Sequence, residues 1–233
     1  MNINSIKKFL NNLEDLDKFL KNFKSKIKNK KIAIVGSSRN LRNRNLGKKI
    51  DKFDLVARFN LAPTKDFEKD VGSRTDIIVT NHLYFVGKRF NKFHMDINTL
   101  RKKLIIIIVD HHDADHENFL KKNRFKFVHR SNRIIFFNNK LNSVLRFRMV
   151  SNYNLFKKIF FYYKIQKYSG GMILTSLLYL LKTDFKNFGF DLNKTQKKVD
   201  YYYKKSGTNK KKLKAKHNFE KESEILRKII KSA

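Results

Sequence analysis

Several groups of side chains in this 233-residue chain have the types and spacings that chemistry uses. Gly36-Ser37-Ser38, followed by Asn40, comes directly after the apolar run Lys31–Val35. A glycine there lets the backbone turn tightly, and the serine and asparagine side chains add donors suited to a phosphate. Ser169-Gly170-Gly171 opens a second apolar segment, where small residues let a ligand approach the backbone at a helix start. Tyr201-Tyr202-Tyr203 offers phenol hydroxyls. His217 stands five residues before Glu222, and an imidazole of near-neutral pKa suits general-base work. Asp110-His111-His112-Asp113, with Asp115 and His116, has side chains of the types that hold a divalent ion. Four of these five groups, all but the tyrosines, also have a plain structural reading. These are a turn, an ordinary helix N-terminus, one surface histidine among seven, and a polar strand end feeding a helix.

The elements that must position these groups alternate between strand and helix. Residues 5–30 place Ile6, Phe9, Leu10, Leu13, Leu16, Phe19, Leu20 and Phe23 at three- and four-residue spacings, the mark of an amphipathic helix. Such a helix either packs on the domain or lies on a membrane surface. Short apolar runs predict strands at 31–35, 55–59, 76–80, 104–109, 126–129 and 185–190, with 104–109 central and covered on both faces. Helices are expected at 46–52, 113–122, 155–165, 171–183 and 219–231. This order implies an α/β fold with a mostly parallel sheet flanked by helices. Residues 1–30 read as a helical extension and 31–233 as one catalytic domain. Lys204–Lys216 is basic and polar and reads as a mobile loop.

Composition narrows the class. The chain has no cysteine, so it has no disulfide, thiolate metal site or cysteine nucleophile, which fits a reducing compartment. Charges interrupt the N-terminal segment, which lacks the continuous apolar stretch of a secretory signal. Leu104–Val109 and Met172–Leu181 are too short for a bilayer, which takes roughly 20 residues. A cytoplasmic protein, peripheral at the inner membrane face at most, is the expectation. The formal net charge of +34 attracts polyanions, whether nucleic acid, anionic lipid, acidic glycan or nucleotide phosphate, and does not choose among them.

The longest of these segments narrows the reading further. Ile32–Thr75 closely resembles the long sialylmotif (L) of the eukaryotic-type sialyltransferases, glycosyltransferase family 29. The resemblance runs through Gly36, Ser38, Asn40, Leu41, Gly47, Ile50, Asp51, Asp54, Val56, Arg58, Asn60, Ala62, Pro63, Thr64, Phe67, Asp70, Val71, Gly72 and Thr75. Ser169–Met172 with Asn187-Phe188-Gly189-Phe190 resembles the short motif (S), Tyr201-Tyr202-Tyr203 the third (III), and His217 to Glu222 the very short one (VS). The four stand in the family's order.

The resemblance implies a Rossmann-like, GT-A-like fold and an inverting transfer of sialic acid from a CMP-sugar to the hydroxyl of a glycan or glycolipid acceptor. It implies no metal or other cofactor. His217 is the expected general base. Gly36, Ser37, Ser38, Asn40, Asn60, Ser169, Gly170, Gly171 and Gly189 are expected at the donor site, with Tyr201 or Tyr202 on the CMP phosphate. Glu222 is expected to support its region through the helix start rather than act on substrate.

This sequence departs from the family in places. The positions of the usual disulfide fall on Ile32 and Lys182, the usual Asn after the first motif glycine is Ser37, and the usual His of the third motif is a Tyr. The family's N-terminal anchor and stem are expected to be missing. CMP-Kdo is therefore an alternative donor, and an inactive CMP-binding relative is a further possibility. Contact with anionic membrane would hold a lipid-linked acceptor nearby. The Asp110–His116 cluster resembles one motif of the DHH phosphoesterases, without that family's other motifs. A nucleic-acid-binding role would explain the charge but not the ordered motifs, so no nucleic-acid partner is expected.

Overall fold

The computed structural model describes residues 3–60, 62–81, 103–109, 134–137, 141, 144–145, 149, 168–190, 198–199, 201–203, 208–209 and 219–232. The chain opens with helix α1 (Ile3–Ile27). Strand β1 (Ile32–Val35) follows, then a single 3-10 turn (Arg39–Leu41) and the short helix α2 (Gly47–Asp51). Next come β2 (Leu55–Phe59), α3 (Glu68–Val71), β3 (Ile77–Asn81), β4 (Ile105–Val109) and β5 (Ile134–Phe137). The last elements are α4 (Gly170–Leu180), β6 (Phe185–Phe188), β7 (Lys198–Val199), β8 (Thr208–Asn209) and α5 (Phe219–Ser232).

Six strands form one sheet in the order β5-β4-β3-β2-β1-β6, and each neighbouring pair is parallel. Successive side chains on a strand point to opposite faces, and here both faces are covered. On one face, Ile32, Ile34, Leu55, Ala57, Ile77, Val79, Ile105 and Ile107 pack against α1, α4 and α5. On the other, Ala33, Val35, Val56 and Phe188 meet Leu41, Ile50, Val71 and Tyr202.

Helix α1 sinks Leu16, Phe19, Leu20, Phe23 and Ile27 into the first of these cores. Burying such a side chain contributes roughly 1.5–3 kcal/mol before ordering entropy is counted. The C-terminal half of α1 thus packs on the sheet, while Leu10 is exposed. Asn29, at φ 57, turns the chain from α1 towards β1.

The expected strand at 185–190 stops at Phe188, because Gly189 takes φ 67 and leaves the extended region. Strand β5 is an addition to the expected set. Lys204–Lys216 is not wholly loop, since Thr208–Asn209 pairs antiparallel with Lys198–Val199. The expected strand at 126–129 and helices at 113–122 and 155–165 lie outside the described residues. Among the described residues no helix is long and apolar enough to cross a membrane.

Candidate active site

Strand order runs outward from β1 through β2 to β5 on one side, while β6 joins β1 on the other. The β1/β6 boundary is therefore a topological switch point, where parallel sheets open a crevice at the carboxyl ends of their strands. Gly36 ends β1 and Gly189 ends β6. Gly36 N–H donates to Phe188 O at 2.8 Å, and Ser38 N–H to Gly189 O at 3.1 Å. A Cβ on Gly36 would stand 2.4 Å from Gly189 O, so backbone packs on backbone here and only glycine fits. A Cβ on Gly189 would meet Leu41 Cδ1 at 2.3 Å.

The turn after β1 does not run into an α-helix. Ser38 caps a single 3-10 turn, its Oγ accepting from Asn40 N–H at 3.3 Å and its carbonyl from Leu41 N–H at 3.2 Å. The amides of Gly36, Ser38, Asn40 and Leu41 are already occupied within this turn. The turn can still offer the partly buried Ser37 and Ser38 and the exposed Asn40. Asn40 Nδ2 donates to Phe190 O at 3.4 Å, which holds it beside β6.

The longer helix start at this edge belongs to α4. Ser169 is its N-cap, with Oγ accepting from Met172 N–H at 3.3 Å. Ser169 N–H donates to Glu222 Oε1 at 2.7 Å, and its hydroxyl donates to Glu222 Oε2. That leaves Gly170 and Gly171 as the first-turn amides without an intrahelical acceptor. Their lack of side chains has an internal cause. A Cβ on Gly171 would meet Phe190 Cε1 at 2.9 Å, and one on Gly170 would meet Val79 Cγ1 at 3.2 Å. Phe59 and Phe190 stack edge to face at 5.9 Å beneath this helix start. Asn60 follows Phe59 directly, exposed at φ 52, with its N–H on Val79 O at 2.8 Å. Phe190 thus sits between Asn40, the α4 glycines and the β2 strand end that carries Asn60.

Glu222 supports a helix start, but not that of its own helix: it reaches from the first turn of α5 to the cap of α4. Burial pushes its carboxyl up to about 7, while the two bonds from Ser169 pull the other way.

The third motif divides by facing. Tyr201 bridges to Ser38 and stacks with Tyr203 at 5.5 Å, which places it beside the post-β1 turn. Tyr202 points the other way and is fully buried. Its hydroxyl donates to Pro63 O, and its ring meets Phe67 at 5.2 Å. Burial pushes that phenol up to about 12, against the pull of Arg58. Tyr202 is therefore withdrawn from the expected phosphate contacts, because its hydroxyl is spent inside the core.

Many of the other matched residues build the frame. Asp51 accepts from Ser73 N–H, Ser73 hydroxyl and Arg74 N–H. Burial raises the Asp51 carboxyl, but these donors outweigh it and hold it below the usual range. Asp70 accepts from the N–H groups of Asn43 and Asn45 at 2.8 and 3.0 Å, fixing two left-handed residues of the loop before α2. Arg58 is buried and donates to the carbonyls of Val71, Gly72 and Arg74 and to Thr75 Oγ1. Gly47 lets α2 touch α3, since a Cβ there would stand 1.9 Å from Glu68 O. Asn187, of the short motif, lies on β6 with its amide atoms buried and unpartnered. His217 and the Asp110–His116 cluster lie outside the described residues.

The family model for glycosyltransferase family 29 (sialyltransferase) matches residues 1–233. The chain belongs to this family. Mouse beta-galactoside alpha-2,6-sialyltransferase 1 is 48% identical over 63 residues, which is 27% of this chain and 16% of that relative. Human CMP-N-acetylneuraminate-beta-1,4-galactoside alpha-2,3-sialyltransferase is 49% identical over 51 residues, 22% of this chain and 14% of the relative. The chain thus aligns with only a small share of these relatives' length.

Solved structures extend the likeness at the level of fold. A mammalian sialyltransferase superposes with a TM-score of 0.51 at 17% identity, covering 97% of this chain and 82% of the other. The sialyltransferase CstII from Campylobacter jejuni, in complex with the substrate analogue CMP-3FNeuAc, gives 0.50 at 20% identity over 87% and 78%. The GT-A-like family-29 fold, with its parallel sheet and flanking helices, is the one expected from the motifs.

Sequence alone gives no role to Arg42, Pro63, Arg74 or Phe190, which the structure places in the frame of the site. Arg42 and Arg74 sit among the many basic residues and give no signal of their own. Pro63 lies inside the matched stretch, and Phe190 closes the short motif.

Proposed function

We propose that this protein transfers sialic acid from CMP-sialic acid to a hydroxyl of a glycan acceptor, with inversion at the anomeric carbon. The whole-chain match to the sialyltransferase family carries this reading. The gathering of Ser38, Asn40, Asn60, Tyr201 and the α4 start at the switch point supports it, since such a crevice suits a nucleotide. In the proposed reaction the acceptor oxygen attacks the anomeric carbon as the bond to the CMP phosphate oxygen breaks. The bond electrons leave with CMP. The acceptor proton passes to His217, which needs a near-neutral pKa for this. The sugar carries oxocarbenium character in the transition state.

Ser38, Asn40 and Asn60 are assigned to the nucleotide, and the Gly170 and Gly171 amides to the donor beside its phosphate. Tyr201 is the third-motif residue assigned to that phosphate. His217 precedes Phe219, the first residue of α5, and Glu222 ties the start of α5 to the cap of α4. No resident metal is assigned a role, because hydrogen-bond donors suffice to stabilise a phosphate leaving group.

The test of the base is turnover of CMP-sialic acid by wild type and His217→Ala across pH. Removing a general base costs roughly 10²–10⁴-fold in rate. CMP affinity should change little, and chelation should leave the rate unaltered. Undiminished transfer by His217→Ala refutes the base assignment, and loss of turnover on chelation, restored by added divalent metal, refutes the metal-free step.

A further inference from the structure

We infer that Tyr202 is a positioning residue that locks the two donor-site loops together without touching the ligand. It lies far along the chain from both loops, yet its polar groups reach into each. Its N–H donates to Ser37 O at 3.0 Å, in the turn after β1. Its hydroxyl donates to Pro63 O, in the loop that leaves β2 through Asn60. Its carbonyl accepts from Arg42 Nε, at the end of the 3-10 turn. The ring packs on Phe67, also of the post-β2 segment, and stacks edge to face with Tyr203 at 5.1 Å. With its side chain fully buried, the residue has no surface left for a substrate.

The chemical consequence concerns pre-organisation. The Ser37–Asn40 turn and the Asn60–Pro63 loop leave adjacent strands, β1 and β2, and each brings side chains to the carboxyl edge. Among the described residues the β1–β2 ladder ends at Val35 and Arg58, so it does not fix the separation of turn and loop. Tyr202 supplies the cross-tie, so the nucleotide meets a preformed pair of loops instead of ordering them on binding. This rests on the CMP-sugar reading above.

Tyr202→Phe keeps the ring and releases only the Pro63 carbonyl. CMP titration calorimetry should show binding weakened about fivefold, the equivalent of one net hydrogen bond. KM for CMP-sialic acid should rise by a similar factor with kcat little changed. In an Asn60→Ala background the same change should add less than about twofold, because the loop no longer has Asn60 to position. Arg42→Lys keeps the charge but loses the fixed Nε donor. It should weaken CMP in the same direction, and it carries the test should Tyr202→Phe not fold. Phe23→Leu, in the core on the opposite face, should lower the melting temperature and leave CMP affinity unchanged. CMP binding by Tyr202→Phe equal to wild type overturns the inference while the functional reading stands. So does a full fivefold loss added on top of Asn60→Ala. Failure of wild type to bind CMP overturns the functional reading and this inference with it.

Discussion

Replacing Glu222 by Gln removes a titration that the fold places at the junction of α4 and α5. The carboxyl is 3% exposed and is held between the N–H and the hydroxyl of Ser169. Its folded pKa is about 7 against an ordinary 4.5, with burial the largest cause. A raised carboxyl pKa means that the folded state binds the proton more tightly than the unfolded chain does. The associated stability is fully present below about pH 4.5 and is lost as pH rises through about 7. A shift from 4.5 to about 7 corresponds to ~3 kcal/mol, most of it lost between about pH 5 and pH 8. Gln matches the shape of the protonated acid, accepts from Ser169 N–H and does not titrate in this range. The assay is urea unfolding of both proteins across that interval. Relative to wild type, Glu222→Gln should gain about 2–3 kcal/mol on going from pH 5 to pH 8, or roughly 4–12 °C in Tm for a chain of this size. Parallel curves for the two proteins would refute the reasoning, because they would mean that Glu222 ionises as easily folded as unfolded.

Two further substitutions probe the frame around the site. Gly189→Ala forces a side chain onto φ 67 and to within 2.3 Å of Leu41 Cδ1. Left-handed strain and overpacking should together cost about 2–5 kcal/mol, read as a lower urea midpoint with an unchanged slope. Arg58→Met strips the donors from the carbonyls of Val71, Gly72 and Arg74. Leaving several buried acceptors unpaired should cost at least about 3 kcal/mol, visible as reduced soluble yield and an earlier thermal transition.

Strands β1 and β2 are legible in the sequence because each buries both faces. Leu55–Phe59 has no polar alternation to blur its ends, and the observed β2 has the expected bounds. Helix α1 is legible in its three- and four-residue period, and Ile27 extends its buried stripe by one more residue. Strand β5 was not anticipated, because four apolar residues carry no period that separates strand from helix. The β7–β8 pairing joins Lys198–Val199 to Thr208–Asn209 by backbone bonds, which hydropathy does not report.

At the site, motif order brought Ser38, Asn40, Gly189 and Tyr201 to one place, and their mutual contacts follow from the β1/β6 switch. The fate of Tyr202 was not legible. Three identical residues in a row give no clue to facing, and the alternation set by the Tyr201–Ser38 bridge decides it. Glu222 shows the same limit. Its spacing from His217 points to its own helix start, whereas its partner lies in a different helix, 53 residues away in the chain.

The most direct measurement of the central proposal is donor turnover by the purified chain, with CMP-sialic acid and CMP-Kdo supplied in parallel with a panel of glycan acceptors. Release of CMP from CMP-sialic acid, with a new glycoside of inverted anomeric configuration, is the expected result. Preference for CMP-Kdo would contradict the sugar assignment. Release of CMP from neither donor, together with no measurable CMP binding, would contradict the proposed activity itself.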